Sequence, residues 1–163
     1  MNYLLNIPGA NAYENQGTDY RISNVEIYDS SLNLLSFEGF SHEEGLRADL
    51  TLVVTNVTIR SMIVSSKSSI VRTRAFTQLN NHHITFSKLS FSEITFGTNG
   101  HLISFEHSAT DDSEVRISDC TFAKNTNAFI QLLNLDTAAI VPSKLVIERS
   151  TFLQNKAPAG TLI

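Results

Sequence analysis

Five times along the chain, at intervals of 30 to 32 residues, one eight-residue pattern returns: Tyr20 to Ile27, Leu52 to Ile59, Ile84 to Phe91, Val115 to Phe122 and Leu145 to Phe152. Self-similarity at a fixed period of this size marks a stacked architecture, in which one short unit is laid repeatedly on its neighbour. Four columns emerge when the copies are aligned. The first holds Tyr20, Leu52, Ile84, Val115 and Leu145; the second holds Ile22, Val54, Phe86, Ile117 and Ile147. The third holds Val25, Val57, Leu89, Cys120 and Ser150; the fourth holds Ile27, Ile59, Phe91, Phe122 and Phe152. Only Ser150 is polar among these twenty positions. Alternation with a period of two, rich in Ile, Val and Phe, predicts strands and fits no helical face.

Between the second and third columns the phase slips by one residue. Two polar residues stand there in every copy: Ser23-Asn24, Thr55-Asn56, Ser87-Lys88, Ser118-Asp119 and Glu148-Arg149. A straight strand would send everything after the slip to the opposite face. A bend keeps both halves pointing inward, and Asn or Asp at the bend tolerates the left-handed backbone it requires. Lys88 and Arg149 suit that conformation less well. A further strand is expected in most copies, at Leu34–Phe37, Leu102–Phe105, Phe129–Leu133 and Thr161–Ile163, with Ser69–Arg72 as its weakest counterpart.

Strand, corner, strand, variable loop and strand, repeated five times, predict an all-β chain forming a parallel β-helix of about five coils with 30–32 residues per coil. Each coil buries its apolar side only against its neighbours, and at about 4.8 Å per rung the stack is about 24 Å tall. A sandwich or barrel is the alternative, but antiparallel folds give no reason for a corner at one fixed point of every copy. Residues 1–19 read as a cap or a partial preceding coil, and residues 20–163 as the β-helix domain. Thr161-Leu162-Ile163 reads as part of a strand, so continuation or stacking beyond it, and self-association through strand edges at the chain ends, are expected.

Composition narrows the function classes. A net charge of −4 supplies no basic field for nucleic acid, and the sequence holds no apolar run of membrane-spanning length. Cys120 is the one cysteine, set in an inward column, and reads as a small buried hydrophobe. Eight of the ten residues just before and after the corner on the outward side are Ser or Thr, as strand propensity on a wet face accounts for.

The fourth and fifth copies extend into Thr121-Phe122-Ala123-Lys124-Asn125 and Thr151-Phe152-Leu153-Gln154-Asn155, both T-F-x-x-N, and the second runs on to Ala159-Gly160. This resembles the F-x-x-N and Gly-Gly-Ala-Ile repeats of polymorphic outer-membrane adhesins and, more widely, pectin-lyase-like β-helix proteins of cell surfaces. The third copy has Ile94 in place of the Asn, and Gly160 is single where the family has a pair. The resemblance implies a right-handed solenoid serving as a secreted or surface-displayed structural or adhesive module.

No catalytic constellation accompanies it. Asp111-Asp112, with Glu114 near, is the one notable carboxylate pair and reads as a solvated acidic loop. The spacing of His42, His82, His83, His101 and His107 suits no metal site, and no cofactor is expected. Long insertions at 38–49, 75–82, 106–113 and 134–143 recur at one stage of the repeat, which gathers them along one edge. Their residues Glu43, Glu44, Asp111, Asp112 and Asp136 form a candidate acidic edge for a glycan or a surface-protein partner. Asn56-Val57-Thr58 makes Asn56 a candidate N-glycosylation acceptor. The expected function is a non-enzymatic structural or adhesive module outside the cell or on its surface. The alternatives are a β-helix that binds or cleaves polysaccharide, and a subunit of an end-to-end fibre.

Overall fold

The computed structural model describes residues 3–7, 18–30, 33–38, 50–64, 69–74, 82–97, 101–106, 114–127, 133–136 and 144–156. Among them the secondary structure is entirely β. The strands are β1 (Tyr3–Ile7), β2 (Thr18–Tyr28), β3 (Asn33–Glu38), β4 (Leu50–Val64), β5 (Ser69–Arg74), β6 (His82–Phe96) and β7 (His101–Glu106). They continue as β8 (Glu114–Ser118), β9 (Thr121–Ala123), β10 (Thr126–Asn127), β11 (Leu133–Asp136), β12 (Lys144–Glu148) and β13 (Thr151–Leu153). One sheet runs β12-β8-β6-β4-β2, with β9, β10 and β13 attached beside it; the other runs β1-β3-β5-β7-β11. Every pairing among the described strands is parallel. Parallel pairing sets the antiparallel sandwich aside.

The register follows the sequence repeat. Tyr20 stands beside Leu52, Leu52 beside Ile84, Ile84 beside Val115, and Val115 beside Leu145, and the second and fourth columns likewise run in register through all five copies. In the central copies the columns are sealed: Leu52, Val54, Val57, Ile59, Ile84, Phe86, Leu89, Phe91, Val115, Ile117, Cys120 and Phe122 are buried. Burying each large aliphatic or aromatic side chain contributes about 1.5–3 kcal/mol. Ile70, Val71, Leu102 and Ile103 of the second sheet join the same cluster, so the core lies between the two sheets. At the flanks the columns open: Tyr20, Ile22, Val25, Ile147 and Phe152 are only partly covered, and Leu145 is 44% exposed.

Of the further strands expected from the sequence, those near Leu34, Ser69 and Leu102 form as β3, β5 and β7. In the fourth copy Leu133–Asp136 forms β11, with Leu133 in register with Ile103, and residues 129–132 of the strand expected at Phe129–Leu133 lie outside the described residues. Thr161–Ile163 lies outside the described residues.

Candidate functional site

The phase slip of the repeat is a true corner. Asn24, Asn56, Lys88, Asp119 and Arg149 all have φ between 47° and 60°, the left-handed region. A second corner follows five residues later, at Asp29, Ser61, Glu93, Lys124 and Gln154, with φ between 48° and 57°. A non-glycine residue pays about 1–2 kcal/mol for this backbone, yet no described corner carries glycine. The second corner was legible: after the fourth column a two-residue interval ending in a polar residue slips the phase again, and Met62, Val64, Ile94 and Phe96 resume the inward alternation.

The corners persist because their side chains and backbone groups are satisfied between copies. Asn56 Nδ2 donates to Asn24 Oδ1 at 2.6 Å. Arg149 donates from Nε and one terminal nitrogen to the two oxygens of Asp119 at 2.7 and 2.9 Å. The Lys and Arg that suit a left-handed residue poorly therefore stand where each faces Asp119 from a neighbouring copy, and both cations lower the Asp119 pKa, Arg149 the more strongly. At the second corner the motif asparagines reach back one copy. Asn125, fully buried, donates from Nδ2 to the Phe91 carbonyl at 2.9 Å and accepts at Oδ1 from the Ile94 amide at 3.1 Å. Asn155 repeats this, donating to the Phe122 carbonyl at 2.7 Å and accepting from the Asn125 amide at 3.0 Å. The polar exception Ser150 acts likewise at the first corner: its hydroxyl accepts from the Cys120 amide at 3.2 Å and donates to the Glu148 carbonyl at 2.9 Å.

Outside the first sheet, the fourth and fifth copies carry a continuous ion network. Lys144 meets Glu114 at 3.0 Å, Arg116 meets Glu114 and Glu148 at 2.8 Å each, and Arg149 meets Glu148 at 3.1 Å and Asp119 at 2.7 Å. The hydrogen bonds from Lys144 and then Arg116 hold the Glu114 carboxyl below its ordinary pKa, and Arg149 does the same to Asp119. Glu114 is thus the first residue of β8 within this network. Farther along, Tyr28 donates to Glu26 at 2.8 Å, and the Arg60 guanidinium lies 4.4 Å from the Tyr28 ring centre.

A second surface feature lies at the second corner. An open groove of about 560 Å³ is lined by Lys124, Thr126, Gln154, Asn155 and Lys156. Lys124 reaches Glu93 at 3.6 Å with both side chains more than half exposed, a pairing worth about 0–1 kcal/mol. Among the described residues no carboxylate pairs with Lys156.

Of the sites expected from the sequence, Glu43, Glu44, Asp111 and Asp112 lie outside the described residues. Asp136 closes β11, in register with Glu106 of β7, rather than sitting in a loop. Asn56 is exposed at the first corner, with its Nδ2 already donated to Asn24. His83 is exposed beside Thr51 and Glu114, and no three metal-ligating side chains come together among the described residues. No described helix is long and apolar enough to cross a membrane. Cys120 is buried, donates from Sγ to the Ser118 carbonyl at 3.1 Å, and has its thiol pKa raised by burial. The groove at Lys124 and Lys156 escaped the sequence because the two residues are 32 apart and stand at different positions of the repeat, Lys124 at the second corner and Lys156 two residues beyond it. No protein-family model matches this sequence, and no similarity to a curated protein or a solved structure was found.

Proposed function

We propose that the chain is a stretch of right-handed parallel β-helix of about five coils, acting as a non-enzymatic structural or adhesive module at a cell surface or outside the cell. Residues 3–7 then supply the third strand of a preceding coil, since β1 pairs with β3 at the 30-residue offset Tyr3 to Asn33. Two corners per copy and two parallel sheets about one core support the solenoid.

The observation that carries the functional reading is that polar groups in the fourth and fifth copies are spent on one another. Glu114, Asp119 and Glu148 are each engaged by Arg or Lys at 3.1 Å or closer. Glycoside hydrolysis needs a carboxyl raised in pKa to act as general acid, facing a second across the sugar. Glu114 and Asp119 are shifted the other way. Carboxylates held this way stiffen a scaffold and are unsuited to the general-acid role. The resemblance of the T-F-x-x-N repeats to surface adhesins supports the placement. Polysaccharide binding, without cleavage, is the second reading, and the Lys124–Lys156 groove favours it.

The test is to immobilise the protein on beads and offer it polysaccharides and cell surfaces while assaying release of reducing ends. Retention without release is expected. Release above the blank that disappears in Glu114→Gln would overturn the non-enzymatic reading.

A further inference from the structure

Five cations stand in the described parts of the fourth and fifth copies: Arg116, Lys124, Lys144, Arg149 and Lys156. Three are held at 3.1 Å or closer in the outer network. The other two line the groove, one in loose contact with Glu93 and one with no described carboxylate partner. In a chain of net charge −4 this is a local reversal of sign.

The base of the groove is fixed. The Lys124 amide donates to the Leu153 carbonyl and the Lys156 amide to the Asn125 carbonyl, each at 2.8 Å, so the two backbones sit on adjacent rungs about 4.8 Å apart. Asn155 is committed to Phe122 and Asn125. Gln154 and Thr126 also line the groove, and each can both donate and accept, as a hydroxyl-rich ligand requires.

Lysine is a compact point charge with three rotatable donors, whereas a planar carboxylate is matched best by the fork of arginine. The described lining has two lysines and no arginine, so it offers an anion two point charges with rotatable donors, which a compact sulfate ester can take from either side. It has no aromatic ring on which a base could stack. We infer that this groove binds a sulfated saccharide, with a sulfate ester between Lys124 and Lys156 and sugar hydroxyls on Gln154 and Thr126. This deepens, and rests on, the reading of a surface module that binds without cleaving.

The test is isothermal titration at low ionic strength, where exposed charges are least screened, using a heparin-derived sulfated hexasaccharide, the same oligosaccharide desulfated, and inorganic sulfate. The whole chain is used, with circular dichroism and Tm checking that each variant is folded. Removing the ester sulfates, or the K124Q/K156Q double substitution, is expected to weaken binding about tenfold or more, as loss of two charge-assisted contacts implies. K88Q/K144Q removes the same charge outside the groove and is expected to stay within about twofold. Equal weakening by the two double variants would assign the effect to net charge and overturn the site. Undiminished binding of the desulfated oligosaccharide would overturn the sulfate, and inorganic sulfate binding as tightly as the hexasaccharide would overturn the saccharide. If K124Q/K156Q still adheres like the unsubstituted chain, the groove fails and the adhesive reading stands. If the unsubstituted chain adheres to no surface, both fail.

Discussion

Asn125 and Phe91 are joined across one rung: the Asn125 side-chain nitrogen donates to the Phe91 carbonyl at 2.9 Å, from a position with no solvent exposure. The same side chain accepts from the amide of Ile94, just past the Glu93 corner. One amide thereby closes both backbone groups that the corner would leave unpaired. Replacing it with Leu, the nearest apolar shape, strands the Phe91 carbonyl and Ile94 amide in the core. We expect Asn125→Leu to destabilise by about 2–6 kcal/mol in urea unfolding, because a buried unsatisfied group costs about 1–3 kcal/mol and two are created. Asn155→Leu should cost less, since Asn155 is only half-buried.

The aromatic column gives a graded series. Phe91 and Phe122 meet edge to face with ring centres 5.8 Å apart, and Phe122 and Phe152 stack at 5.0 Å. Phe122→Ala removes a fully buried ring from between two others and should cost about 3–5 kcal/mol. Phe152→Ala, at a partly exposed position, should cost markedly less. Equal losses would show that the flank is as well covered as the centre.

Lys88 has φ 54° with a Cβ, and its attraction to Asp119 is weaker than the paired hydrogen bonds of Arg149. Lys88→Gly relieves the left-handed penalty and is expected to raise stability by up to about 1 kcal/mol. Arg149→Gly relieves the same penalty but loses both bonds to Asp119, so it should not stabilise. Denaturant midpoints measured in parallel separate the two.

Acid should act through the outer network. Glu114 and Asp119 have folded pKa values below their ordinary ones. Their stabilisation is therefore fully present above the unfolded carboxyl range, near pH 4, and is lost as pH falls through the lower folded values. Tm should drop on acidification below about pH 5. Asp119→Asn should flatten part of that drop while lowering Tm at neutral pH.

The Cys120 thiol is buried and its pKa raised. It should remain unreactive toward a disulfide reagent at pH 8 in the native protein and titrate fully in denaturant. Rapid labelling of the folded chain would contradict the burial.

The four inward columns and the first corner were legible in the sequence because their cause is local: side chains alternate with period two, and a single slip must turn the chain to keep the core dry. The second corner was equally legible, from Met62 and Ile94, but its polar column of Asp29, Ser61, Glu93, Lys124 and Gln154 varies too much in residue type to attract notice. The register of Leu133–Asp136 was not legible, since the apolar stretch around it fits several registers and pairing with Ile103 to Glu106 fixes one. Nor was the reason for the T-F-x-x-N asparagine: the motif is visible in one copy, but its partners Phe91 and Ile94 belong to the copy before.

The sequence by itself determined that this chain is all-β, repeats every 30 to 32 residues and turns a corner at Asn24, Asn56, Lys88, Asp119 and Arg149. Periodicity suffices for that, because burial of alternate side chains is decided within each copy. Only the tertiary structure decided which polar groups meet. Asp119 with Arg149, Asn125 with Phe91, and Lys124 with Lys156 along one groove are each set by parallel register, which brings residues 30 to 34 apart in the chain onto adjacent rungs.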